Sequence, residues 1–215
     1  MASKKAVLFD LDGTLIDTME LILESFRRAS ADVLGAALPD AQVRSLIGIP
    51  LIEQARILAP EHPQELFDAY QGYNFALHDD MVRYFEGTRE MLEAAIADGR
   101  RLAVVTSKRN GPALKGLSLF GLQRYFEFII GMEDTEKHKP DPQPLLLAAA
   151  RMGRAADACI YVGDSVFDMQ AARAAHMAAV AALWGTSNEG ELIKAGAQYC
   201  VAEPSGLLAV FDEIG

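Results

Sequence analysis

Residues 6–17, AVLFDLDGTLID, set Asp10, Asp12 and Asp17 behind a run of four apolar residues. A carboxylate at the end of such a run can act as a nucleophile, splitting a difficult transfer into two easier steps. A second carboxylate two residues on can act as general acid and then general base. Gly13 lets the backbone turn sharply, and the Thr14 hydroxyl can tie that turn. Read alone, the stretch is equally a glycine turn carrying solvated aspartates. Other apolar runs, however, end in polar residues of the same kind. Thr106, Ser107 and Lys108 close the run 101–106, and Asp164 and Ser165 follow the run 159–163, with Asp168 one helical turn later. Lys139 stands in Lys139-Pro140-Asp141-Pro142, past a loop that follows the run 126–131. Each has an ordinary structural reading as well: a strand-end threonine, a lysine before a helix with proline near its first position, and N-cap residues. Capping explains one of Asp164 and Asp168, but not why both are expected at the same rim as Asp10.

These residues need a scaffold that brings four segments to one edge. The runs 5–10, 101–106, 126–131, 159–163 and 177–183 are short and continuously apolar, and 199–202 is a further candidate. Strands without polar alternation are covered on both faces, as in parallel sheets. Helical periodicity lies between them, over 88–98, 110–119, 142–152, 165–175 and 189–195. The alternation predicts an α/β fold, a doubly wound parallel sheet of Rossmann-like form. Ligands bind at the carboxyl ends of such strands.

One interval breaks the alternation. From Thr18 to about Phe85 the sequence shows no convincing strand and reads as helices over 20–34, 40–47, 51–58 and 63–78, punctuated by Gly35, Pro39, Gly48 to Pro50 and Pro60. The expected organisation is a core of residues 1–16 and 86–215 with an inserted helical cap of residues 17–85. Asp17 falls at the junction and is assigned a hinge or helix-start role. There are no internal repeats.

Composition narrows the function classes. The 215 residues are 51% hydrophobic and 23% charged, and 20 Lys plus Arg against 30 Asp plus Glu give a formal charge of −10. Such an acidic chain is a poor nucleic-acid binder, since phosphate contacts need clustered cations. Cys159 and Cys200 are the two cysteines, which excludes a disulfide scaffold and fits a reducing cytoplasm. The apolar run after the basic start MASKK is too short for a signal peptide, and none approaches a membrane span. Neither a Gly-x-Gly-x-x-Gly after the first strand nor a Walker A loop occurs, which argues against nucleotide-cofactor and P-loop chemistry. His62, His138 and His176 lack metal-ligand spacing.

Taken in order, DLDGT at 10–14, Thr106 after the second strand, Lys139-Pro140 before a helix, and GDSVFD at 163–168 resemble the haloacid dehalogenase superfamily over essentially residues 5–183. The insertion resembles that family's C1-type cap. The segments 17–26, 74–87 and 139–149 are similar to its phosphoglycolate phosphatase and inorganic pyrophosphatase branch. The resemblance implies a Mg²⁺-dependent phosphatase acting on a small phosphorylated metabolite through an aspartyl-phosphate. It implies Asp10 as nucleophile, Asp12 as general acid and base, and Thr106 and Lys139 on the transferring group. The metal would be held by Asp10, the main-chain carbonyl of Asp12 and Asp164, with Asp168 behind them or reaching it through water. Mg²⁺ suits a site of carboxylates and phosphate oxygens. Gly13, Thr14, Ser107 and the cap-loop Gly48 are expected near the phosphate. Arg44 and Arg56 are the cap's candidate anion binders, and His78 lies in the segment leading back to the core. Asp12 favours phosphate-ester or anhydride chemistry over dehalogenation. A β-phosphoglucomutase-type phosphosugar mutase keeps both aspartates and stays open, as does a non-catalytic regulator with this fold. Monomer and homodimer are equally open.

Overall fold

The computed structural model describes residues 5–215, so the basic start at residues 1–4 lies outside the described residues. The elements run β1 (Ala6–Phe9), β2 (Ile16–Asp17), α1 (Met19–Leu34), α2 (Asp40–Arg44), α3 (Leu51–Leu58), α4 (Pro63–Met81), β3 (Arg83–Tyr84) and α5 (Thr88–Ala97). They continue with β4 (Leu102–Val105), α6 (Asn110–Leu119), β5 (Ile129–Ile130), α7 (Gln143–Arg151), β6 (Cys159–Gly163) and α8 (Val166–Ala174). The chain closes with β7 (Ala178–Ala182), α9 (Glu189–Ala195), β8 (Tyr199–Val201) and α10 (Leu207–Ile214). Six strands form a parallel sheet in the order β5-β4-β1-β6-β7-β8. The doubly wound α/β arrangement expected from the apolar runs is the one observed.

The period of a strand explains its two cores. Successive side chains point to opposite faces. Val7 and Phe9 join Leu92, Leu117 and Phe211, from α5, α6 and α10, on one face. Ala6 and Leu8 join Leu145, Met169 and Leu192, from α7, α8 and α9, on the other. Phe9 meets Phe126 and Phe211 edge-on, at centroid distances of 6.1 and 6.3 Å. Both faces being covered, the strands carry no polar alternation.

Helices α1 to α4 enclose a third, separate cluster. On α1 the residues Ile22, Leu23, Phe26 and Ala29 follow helical spacing, and the Phe26 ring lies 4.4 Å from that of Tyr70 on α4. The two chain crossings into this helical unit are tied by a small antiparallel ladder, Ile16 to Tyr84 and Asp17 to Arg83. This corrects the expectation of no strand between 18 and 85. Two exposed residues, Arg83 and Tyr84, have no period from which a strand could be read. Asp17 ends β2, and its Oδ1 accepts from the Met19 amide at the start of α1, at 3.1 Å, which is the helix-start role. Helix α2 stops at Arg44 rather than reaching 47, the chain continuing as turns (Leu46 N to Val43 O, Ile47 N to Arg44 O). Among the described residues no helix is long and apolar enough to cross a membrane.

Phe26 is wholly buried at the centre of the α1–α4 cluster. Phe26→Ala is expected to cost about 3–5 kcal/mol of unfolding free energy, read by urea titration. A loss under about 1 kcal/mol would show that these helices have no packed core of their own.

Candidate active site

Because β1 lies between β4 and β6, the residues just past these three strands are neighbours. Adjacent strands lie about 4.8 Å apart. The ladder continues one residue beyond the strands: the Asp10 amide donates to Val162 O and the Thr106 amide to Ile130 O, both at 2.9 Å. Asp10 and Thr106 are therefore set by sheet hydrogen bonding rather than by loop conformation, and Asp164 directly follows β6. All three are buried, at 5%, 5% and 1% exposure.

Lys139 reaches the same point from the loop before α7. Its Nζ lies 2.9 Å from Asp10 Oδ1 and 2.6 Å from Asp168 Oδ1. The Lys139 ammonium also donates to the Tyr161 hydroxyl, at 3.1 Å. Asp168 is saturated: Oδ1 takes Lys139 and the Tyr161 hydroxyl, and Oδ2 takes the Ser165 amide and hydroxyl at 2.9 and 2.6 Å. The same Asp168–Ser165 pair forms a capping box at the start of α8.

Asp164 is aimed by the two loops flanking it. The Thr14 hydroxyl donates to its Oδ1 at 2.9 Å and the Thr186 amide to its Oδ2 at 2.8 Å. Thr14 is thus committed to Asp164, and its carbonyl accepts from the Trp184 indole at 3.0 Å. Close packing requires glycine on both sides. A Cβ at Gly13 (φ +81°) would fall 2.3 Å from Asp164 Oδ2, and one at Gly185 would fall 2.2 Å from Asp164 Cβ. A Cβ at Gly163 would meet Asp168 at 2.5 Å. Sequence reasoning passed over Gly185 and Thr186 because they lie in the loop after β7, outside any motif.

Asp12 sits nearer the open side. Its Oδ1 accepts from Lys108 Nζ and from the Thr18 hydroxyl, both at 2.7 Å. Both pairings join segments distant in the chain, the one after β4 and the one before α1, so the sequence does not reveal them. Thr106 Oγ1 accepts from the Lys108 amide at 3.2 Å, leaving its own hydrogen to donate elsewhere. Ser107 reaches across to the helical unit, donating to the Gly48 carbonyl at 2.7 Å. Gly48 (φ +107°) approaches so closely that a Cβ would lie 2.9 Å from Ser165 Oγ.

Between the sheet edge and helices α1, α3 and α4 lies a cavity of about 400 Å³, floored by Asp10, Asp12, Thr106, Ser107, Lys108 and Asp164. Arg44 and Arg56 are not among its lining residues; they pair with Glu20 and Glu53. His78 does line it, with its Nδ1 2.7 Å from Asp79.

The floor holds more negative charge than positive. Burial pushes Asp10 up to about 8, against the pull of Lys139 and with the repulsion of Asp168 and Asp164. Burial and Asp168 push Asp164 up to about 6, against its bonds from Thr186 and Thr14. Burial works against the Lys139 charge, yet Asp10 and Asp168 hold its ammonium well above the ordinary range. Carboxylate oxygens of Asp10, Asp164 and Asp168 lie within 4.8 Å of one another. Asp10 Oδ1, though near Lys139, lacks a hydrogen bond of good geometry among the described residues. An all-oxygen set with one orphaned oxygen and two carboxylates that resist ionising fits a hard divalent cation such as Mg²⁺. Asp10 and Asp164 are the residues to hold it; Asp168 is taken up by Lys139, Tyr161 and Ser165.

Two expectations follow from this geometry. Gly185→Ala forces Asp164 to move and is expected to cost about 1–3 kcal/mol in denaturant unfolding; unchanged stability would contradict the contact. Burial lowers the His78 pKa. The folded state therefore resists a proton that the unfolded chain accepts near pH 6.5, so this contribution to stability is full above that pH and is lost as pH falls below it. The drop in stability between pH 6.5 and 5 should be smaller in His78→Gln; an equal drop in both proteins would rule His78 out as its source.

The chain is similar to known proteins in sequence and in fold. The family model of haloacid dehalogenase-like hydrolases matches residues 7–182. Pyrophosphatase PpaX of Halalkalibacterium halodurans is 39% identical over 163 residues, covering 76% of each chain. A hydrolase from Pseudomonas syringae superimposes with a TM-score of 0.87 at 27% identity, covering 99% of this chain and all of that one. A predicted phosphoglycolate phosphatase from Haemophilus somnus gives 0.85 at 25% identity, covering 98% and 99%. With the aspartate, threonine and lysine of four segments gathered at one sheet edge, the chain belongs to the haloacid dehalogenase-like hydrolases, and it is an enzyme of their phosphatase class.

Proposed function

We propose that this enzyme removes phosphate from a small phosphorylated metabolite through an aspartyl-phosphate on Asp10. The observation that carries the reading is Asp10 itself: a buried carboxylate at the end of the central strand, 2.9 Å from the Lys139 ammonium and lining a cavity whose floor also presents Asp12. The Asp10 oxygen forms a bond to phosphorus as the bond to the leaving oxygen breaks, and Asp12 gives that oxygen its proton. Asp12 then takes a proton from the water that attacks the acyl phosphate, returning Asp10 and free phosphate. Lys108 and Thr18 hold one Asp12 oxygen, so the other is the one that exchanges protons.

The remaining side chains bind and orient. The Thr106 hydroxyl, already accepting from the Lys108 amide, donates to a phosphoryl oxygen. Lys139 favours the ionised form of Asp10 against the burial that opposes it, and holds the carboxylate in place. Thr14, Thr186 and the flanking glycines fix Asp164. Asp10, Asp164 and the Asp12 main-chain carbonyl would hold Mg²⁺, which when bound would supply the positive charge that lets a phosphate approach these carboxylates. The helical unit of residues 17–85 serves as the cap, its Gly48 turn latched to Ser107, and excludes bulk water while the leaving group is present.

Phosphate release should fall by roughly 10³-fold or more in Asp10→Asn, and wild type should lose activity to a chelator and regain it with Mg²⁺. Equal release from Asp10→Asn, or indifference to the chelator, would refute the reading.

A further inference from the structure

Tyr161, the third residue of β6, faces the side of the sheet that α7, α8 and α9 cover. It is wholly buried in one cluster with Leu8, Val105, Leu145 and Met169, whose side chains offer its hydroxyl no strong partner. A hydroxyl buried without a hydrogen bond is costly, and a phenylalanine ring would fill the same cluster without that need. The oxygen is therefore not explained by packing.

Its partners lie at the carboxyl end of the sheet. The hydroxyl accepts from Lys139 Nζ at 3.1 Å. Val105 O and Asp168 Oδ1, each 3.0 Å away, are the acceptors for its own hydrogen. Val105 ends β4 directly before Thr106, so one oxygen joins the lysine, the carboxylate that caps α8 and the end of β4.

The geometry at Lys139 follows from counting hydrogens. An ammonium has three. One goes to Asp168 Oδ1 at 2.6 Å and one to Tyr161. The third remains for Asp10 Oδ1, 2.9 Å from Nζ. Two fixed acceptors set the direction of the third hydrogen, whereas a single acceptor leaves the group free to turn about it. Without the phenolic oxygen only Asp168 would anchor the ammonium, and one N–H would point into apolar side chains. Neither Tyr161 nor Lys139 lines the cavity, so the hydroxyl meets no substrate there and its effect passes through Lys139.

We infer that Tyr161 is a positioning residue of the reaction: its hydroxyl fixes the direction in which the Lys139 ammonium meets Asp10, and so holds Asp10 for phosphoryl transfer. The inference rests on the phosphatase reading and adds to it a residue that acts on Asp10 from outside the cavity.

The test is Tyr161→Phe, which removes the oxygen and keeps the ring. Phosphate release is followed with Mg²⁺ from acetyl phosphate, phosphoglycolate and inorganic pyrophosphate, and the inhibition constant of inorganic phosphate is measured beside it. Leu192→Ala, in the same cluster on α9, controls for loosened packing, with urea unfolding of both variants. In Tyr161→Phe, kcat/KM should fall about 10- to 100-fold, the scale of a misplaced reacting group. The factor should be the same for each substrate, because the hydroxyl acts on Asp10 and not on the leaving group. The inhibition constant of phosphate, and kcat/KM in Leu192→Ala, should each stay within about 3-fold of wild type. A second measurement needs no variant. Relaxation of ¹⁵N-labelled lysine ammonium groups should show Lys139 held against rotation while surface lysines turn freely.

Unchanged kcat/KM in Tyr161→Phe, a loss that differs between leaving groups, an equal loss in Leu192→Ala, or free rotation of the Lys139 ammonium would overturn the inference and leave the phosphatase reading standing. The relaxation result decides alone if Tyr161→Phe does not fold or none of the three substrates is turned over. Release that is equal in Asp10→Asn would refute the phosphatase reading, and the inference with it.

Discussion

Everything at this sheet edge depends on one enclosed ammonium. Lys139, with a side chain 1% exposed, stands between Asp10 and Asp168 and is bonded to the Tyr161 hydroxyl. Removing one partner of such a buried pair costs about 3–5 kcal/mol, because the other charge is left uncompensated. Here the loss would spread. Asp168 is also the carboxylate that caps α8 through Ser165, and Gly163 must lack a side chain because Asp168 fills the space. Strand β6, the start of α8 and the loop before α7 are thus held by the groups that hold Asp10.

One lysine does not balance three buried carboxylates. Asp10 and Asp164 both resist ionisation, and a reactive Asp10 must be ionised. A divalent cation held by these carboxylates would resolve the conflict and supply the countercharge that a phosphate needs there. The cap is the other half of the arrangement. It has a separate hydrophobic cluster, it is tethered by the β2–β3 ladder, and it touches the floor through Ser107 and Gly48. The carboxylates, hydroxyls and lysines of the sheet edge and the largely apolar side chains of α1, α3 and α4 thus line one cavity.

The sequence carried the parts of this fold that follow from burial. Continuous apolar runs placed β1, β4, β6 and β7 because both sheet faces are covered, and polar residues at their carboxyl ends located Asp10, Thr106 and Asp164. Lys139 was legible from its lysine-proline context. The ladder of Arg83 and Tyr84 was not, since a two-residue strand has no period. Nor was the engagement of Asp12 by Lys108 and Thr18, nor the aim of Asp164 by Thr186 and Gly185, since each joins distant segments. Arg44 and Arg56, candidate anion binders by residue type alone and surface helix charges by default, lie off the cavity in pairs with acidic neighbours. The character of the cavity's helical lining could not be read either, because the α4 residues that line it mix aromatic and amide side chains whose inward face only the packing reveals.

The claim on which the account turns is that Asp10 carries the phosphoryl group. It is tested most directly by quenching the enzyme in acid during turnover, reducing any acyl phosphate with borohydride, and mapping the product by peptide mass spectrometry. The account predicts homoserine at position 10 in the presence of substrate and Mg²⁺, and aspartate there without substrate. Turnover that proceeds with position 10 unmodified, or with the label on another residue, would contradict it.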